Sequence, residues 1–75
     1  MVFGYSIWLL ELNKGADTKC IGVRLGRECI GRNISVATVA KKFKVSRQTV
    51  YNWFSGKVEP SDLRHAAIQT YIDKL

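Results

Sequence analysis

The chain has 75 residues, which allows one small domain with a modest core and leaves little room for a deep catalytic pocket. Twelve Lys and Arg against six Asp and Glu give a net charge of +6, the balance expected when the partner is a polyanion. The surplus is uneven, because nine cations between Lys19 and Lys57 face Glu28 alone, whereas a solvated face spreads its charges.

The first apolar run, VFGYSIWLLEL, has no basic residue ahead of it, is interrupted by Gly4 and is stopped by Glu11. It is far shorter than the roughly 20 residues that span a bilayer, so it reads as neither a signal peptide nor an anchor. Tyr5, Trp8, Leu9 and Leu12 fit a helical stripe, while Phe3, Tyr5, Ile7 and Leu9 fit a strand. A short helix from about Ser6 to Lys14 is the preferred reading of this N-terminal segment, residues 1–14. So apolar a segment is expected to roof the core or to form an oligomer interface.

After Gly15, Asp17 or Thr18 can cap a second helix, whose Ile21, Leu25, Cys29 and Ile30 form its apolar side and which Gly31 can end. Gly22 and Gly26 each cost about 1 kcal/mol relative to Ala in a helix, so this helix must lean on tertiary packing and its glycines can admit a close neighbour. Cys20 and Cys29 would lie on opposite sides of it, roughly 13 Å apart along the axis, and cannot bridge each other. They are read as free buried thiols in a reducing cytoplasm. His65 is the sole histidine and is read as solvated, so no metal-ligand set is expected.

Ser35 precedes VATVAKKF, in which Val36, Val39, Ala40 and Phe43 share one apolar face. Only Lys44 and Val45 separate this short helix from the next start signal, Ser46, and helices joined by so tight a turn must cross at a large angle. From Ser46 onward the wheel splits. Val50, Trp53 and Phe54 form a core face, while Gln48, Tyr51, Asn52 and Ser55 form a polar face led by Arg47 at the exposed N-terminal end. A solvated face more often carries Glu and Lys, whereas these side chains hydrogen-bond planar bases.

The segment ISVATVAKKFKVSRQTVYNWFSGKVEP resembles the helix-turn-helix of the phage Cro and C1 repressor family. The likeness is carried by Ala40 at the helix crossing, Val45 in the turn, the VSRQTV entry, Trp53 and the GK…P exit, within a region from about Ile21 to Pro60. It implies an all-α, lambda repressor-like bundle of about four to five short helices, with the helix-turn-helix over 35–55 and a recognition helix over 47–55 in the major groove. It further implies base contacts from Arg47, Gln48 and Asn52, and backbone-phosphate contacts from Ser55 and Lys57. Ser46 would take a phosphate or base-edge contact, and Thr49 or Tyr51 a thymine methyl or a phosphate; Ser35 and Lys44 complete the DNA-binding set. Chemistry agrees: Arg can bridge guanine O6 and N7, and Gln or Asn can bridge adenine N6 and N7. Three positions depart from the family. Val36 stands where Gln often braces the recognition helix, Lys44 where Gly often supplies a left-handed turn, and Phe54 where Glu is frequent.

Beyond Pro60, SDLRHAAIQTYIDKL reads as a last helix over 61–74 capped by Ser61 or Asp62, with Leu63, Ala67 and Tyr71 on one line and Ile68, Ile72 and Leu75 on the next. Packing against the helix that follows Gly15 is its expected use, and part of its face, with the N-terminal segment, is available to pair two subunits. The sum is one domain over 1–75 that binds double-stranded DNA sequence-specifically, as a homodimer and a small phage-type transcriptional regulator of the repressor kind in the bacterial cytoplasm, with no cofactor, membrane or small-molecule substrate. The alternatives are an excision or recombination directionality factor, and a protein-binding factor acting on host transcription machinery. An enzyme is the weakest reading, since no nucleophile and base or carboxylate pair is evident.

Overall fold

The computed structural model describes residues 6–75 and contains five helices. These are α1 (Ile7–Gly15), α2 (Ile21–Gly31), α3 (Val36–Phe43), α4 (Arg47–Ser55) and α5 (Asp62–Lys74), with no strand among the described residues. The bundle is all-α, as expected. Tyr5 and Phe3 of the N-terminal patterns lie outside the described residues.

Three helix starts share one device. Ser6, Ser35 and Ser46 each accept a hydrogen bond at 3.1 Å from the amide three residues on, satisfying a donor that the first turn leaves unpaired. The start of α2 differs from expectation: its N-cap is Cys20, whose side chain makes no capping bond. Asp17 instead folds a turn ahead of the helix, accepting from Lys19 N at Oδ1 (2.9 Å) and from Cys20 N at its carbonyl. An Asp two residues before a free amide favours this local bond over a cap further on.

The ends of α2 and α3 match each other. Asn33 (φ 58°) and Lys44 (φ 57°) are left-handed, and the next amide reaches back to close each helix, Ile34 N to Cys29 O at 2.8 Å and Val45 N to Ala40 O at 3.0 Å. Gly31 is therefore the last helical residue of α2, while the left-handed residue that turns the chain is Asn33.

α2 runs through the centre, packed against α4, α5 and α1, while α4 also meets α3 and α1. Leu25, Val39, Val50, Phe54 and Ile68 are fully buried between them. The two interior glycines of α2 allow this approach: a Cβ on Gly22 would lie 2.8 Å from Trp53 O, and one on Gly26 2.7 Å from Phe54 Cγ. Phe43 meets Trp53 and Tyr71 edge to face, with ring centroids 6.0 and 5.4 Å apart.

Four expectations need correction. The stripe of α1 is shifted: Leu9 and Asn13 are buried, while Trp8 is 69% and Leu12 38% exposed, because α1 turns its i, i+4 pair inward toward α2 and α4. α5 packs on α2, but of its two apolar lines only Ile68 is fully buried. Tyr71, Ile72 and Leu75 pack partly, and Leu63 is 93% exposed. His65 is not simply solvated, since its Nε2 lies 3.1 Å from Pro60 O at the entry to α5. Of the two free cysteines only Cys29 is fully buried; burial, then the Glu28 charge, push its thiol up to about 12, which leaves it inert.

Candidate nucleic-acid interface

α4 presents the polar residues in question because its other side is fixed. Val50, Trp53 and Phe54 are buried, and with 3.6 residues per turn this leaves Arg47, Gln48 and Tyr51 exposed, with Asn52 and Ser55 half-buried beside them. Ser46 caps the helix and its Oγ also lies 3.0 Å from Thr49 Oγ1, so both hydroxyls are engaged at the first turn. Gln48 Nε2 donates to Asn52 Oδ1 at 3.1 Å, and Ser55 Oγ donates to Asn52 O at 3.3 Å. Ser35 is exposed at the start of α3, hydrogen-bonded to Thr38, and Lys44 is exposed in the turn ahead of α4.

The basic surplus between Lys19 and Lys57 includes cations held within the fold and cations placed around α4. Arg24 donates to Gln69 Oε1, Arg27 to the carbonyls of Asn13 and Lys14 at the end of α1, and Arg32 pairs with Glu28. These three arginines serve the fold. Lys44, Arg47 and Lys57, around α4, have no acidic partner among the described residues. Arg64, on α5, reaches the end of α3 and the buried ring of α4. It donates to Phe43 O, one of the carbonyls left free at the end of α3, and lies 5.8 Å from the centroid of Trp53.

α3 packs against α4 across a turn of three residues, and the helix-turn-helix family model matches residues 23–68, more than half of the chain. The chain belongs to the Cro/C1-type helix-turn-helix family. Members are sequence-specific DNA-binding regulators of transcription, and at that level this protein is one. The match opens inside α2, so α1 lies outside the helix-turn-helix proper. No curated protein and no solved structure matches the chain. No helix among the described residues is long and apolar enough to cross a membrane.

Of the family departures, Val36 is buried and contributes to the core at the start of α3, and Phe54 fills the space between α2 and α4. Lys44 holds the left-handed turn that Gly often supplies.

Five of the sequence-derived residues come together. Gln48, Tyr51, Asn52, Ser55 and Lys57 line a cleft of about 640 Å³, whereas Ser35, Lys44, Ser46, Arg47 and Thr49 lie outside it. The other wall is α1, through Trp8 and Leu12. Sequence reasoning missed this wall, and it missed Asn13, whose Nδ2 donates to Val23 O at 3.1 Å and Phe54 O at 2.7 Å and so ties α1 to both α2 and the last turn of α4. The spacing of Asn13 four residues after Leu9 was the available signal, but a polar residue on an inward face has no periodicity of its own.

Proposed function

We propose that this family member is a small phage-type regulator that inserts α4 into the major groove and reads an operator as a homodimer. The observation that carries the reading is the outer face of α4, where Arg47 and Gln48 are exposed and Asn52 is half-buried beside them, on a capped helix packed on its other side. The hydrogen bond between Gln48 and Asn52 leaves Gln48 Oε1 as an acceptor and Asn52 Nδ2 as a donor, the two groups that adenine N6 and N7 require. Arg47 suits guanine O6 and N7. Lys44, Ser46, Ser55 and Lys57 suit phosphate, with Ser35 at the start of α3, and Thr49 and Tyr51 suit a thymine methyl or phosphate. One helix makes few base contacts, so two copies on an inverted repeat supply the rest, in the DNA-containing cytoplasm of a bacterial host.

A titration of preferred and random duplexes at several salt concentrations tests the reading. Arg47→Ala and Asn52→Ala are each expected to lower affinity for the preferred duplex by about 1 to 3 kcal/mol and to leave random DNA nearly unchanged. Lys57→Ala is expected to weaken both alike and to reduce the salt slope by about one unit, because one fewer counterion is released. If Arg47 and Asn52 prove dispensable, or no sequence is preferred, α4 is not the reading element, and a protein partner takes precedence.

A further inference from the structure

α1 spends little of its apolar surface on the core. Leu9 is buried, but Ile7 is 77% exposed and Trp8 nearly as much, in a helix that the family match leaves out. Trp8 and Leu12 instead face Gln48, Tyr51, Asn52 and Ser55 across the 640 Å³ cleft, which Lys57 also lines and to which no carboxylate contributes. We propose that this cleft seats one strand of the DNA duplex, so that α1 is part of the DNA-binding surface. The inference rests on the DNA reading of α4 above.

The geometry of the duplex leads there. The major groove is about 12 Å wide and a helix with its side chains is about 10 to 12 Å across, so α4 fills the groove and a second helix beside it has no room to enter. α1 packs against α4, held by the buried Leu9 and by the bonds from Asn13 to Phe54 O and Val23 O, so it cannot retreat. It must therefore lie over the adjoining sugar-phosphate ridge. That ridge alternates anionic phosphates with apolar deoxyribose faces, and the cleft offers both counterparts. Lys57 and Ser55 suit the phosphates. Trp8 and Leu12 suit the sugars, and the Trp8 indole N–H can donate to a phosphate oxygen. A second copy of the chain fits less well, because seating it there would cover Gln48 and Asn52.

The experiment follows Trp8 by fluorescence. The chain has two tryptophans and Trp53 is buried, so an aqueous collisional quencher reads Trp8. With the duplex recovered by selection from a random pool, DNA is expected to protect Trp8 from the quencher. Trp8→Ala is expected to lower affinity for that duplex about tenfold, as for an apolar side chain of this size leaving an interface, without changing the salt slope, because no counterion is involved. The unchanged slope separates Trp8 from a phosphate-contacting lysine. Trp8→Phe, which keeps an apolar ring, should restore most of the affinity. The inference is overturned if Trp8 stays fully quenchable in the complex and Trp8→Ala binds like the wild type while Arg47→Ala still loses the preferred duplex. It is equally overturned if Trp8 becomes protected with rising protein concentration in the absence of DNA, since the occupant is then a second copy. A wild type with no preferred duplex removes the DNA reading, and this inference with it.

Discussion

Lys44 and Asn33 hold nearly the same left-handed backbone, φ 57° and 58°, at the ends of α3 and α2, but at different cost. The short polar side chain of Asn tolerates this region, whereas the Lys Cβ crowds the following carbonyl at roughly 1 to 2 kcal/mol. Glycine removes that crowding but loses more backbone entropy on folding, so the two effects partly cancel. Lys44→Gly is therefore expected to leave stability unchanged or raise it by up to about 1 kcal/mol, read as an unchanged or higher urea midpoint with the same m-value. A clear fall in the midpoint would mean that the Lys44 side chain stabilises the turn through contacts of its own.

The elements themselves were largely legible. Serine caps before apolar 3.6-period runs announced α3 and α4, and Val50, Trp53 and Phe54 are buried as the helical wheel indicates. The rotation of α1 was not legible, because Trp8 and Leu9 are both apolar and only the partner surface decides which turns inward. α5 misled for a related reason: Leu63 fits its stripe but extends beyond the surface that α2 offers. The glycines of α2 give this scale its test. Gly26→Ala would bring a Cβ to 2.7 Å from both Asn13 Nδ2 and Phe54 Cγ, and overpacking of this kind costs about 1 to 3 kcal/mol, more than the helix propensity gained. Gly31 has nothing within 4 Å of an added Cβ, so Gly31→Ala is expected to be neutral or slightly stabilising. Thermal or urea unfolding of the two variants should move in opposite directions, and similar midpoints would show that α1 and α4 are less tightly seated on α2 than this geometry requires.

The molecule as a whole measures 33 × 22 × 22 Å, about the reach needed to cover one half-site of an operator whose halves are one helical turn, roughly 34 Å, apart. Apolar surface outside the cleft remains at Val58 and Leu63 for a second copy to use. Footprinting on the selected duplex is expected to show two protected patches related by a dyad, with sedimentation giving two chains per duplex. A single patch with one chain bound would leave the DNA-reading helix in place and remove the homodimer.

The amide of Asn13 reaches only main-chain carbonyls, those of Val23 and Phe54, and every residue carries such a carbonyl. The joint therefore makes no demand on which side chains stand at positions 23 and 54, and its one strict requirement is the missing Cβ at Gly26. Such an attachment is portable: a nine-residue helix carrying an inward Leu and, four residues on, an Asn can be grafted onto another helix-turn-helix bundle once a glycine is opened in the helix beneath it. Operator preference and the added helix can then be exchanged separately, like a blade and its handle.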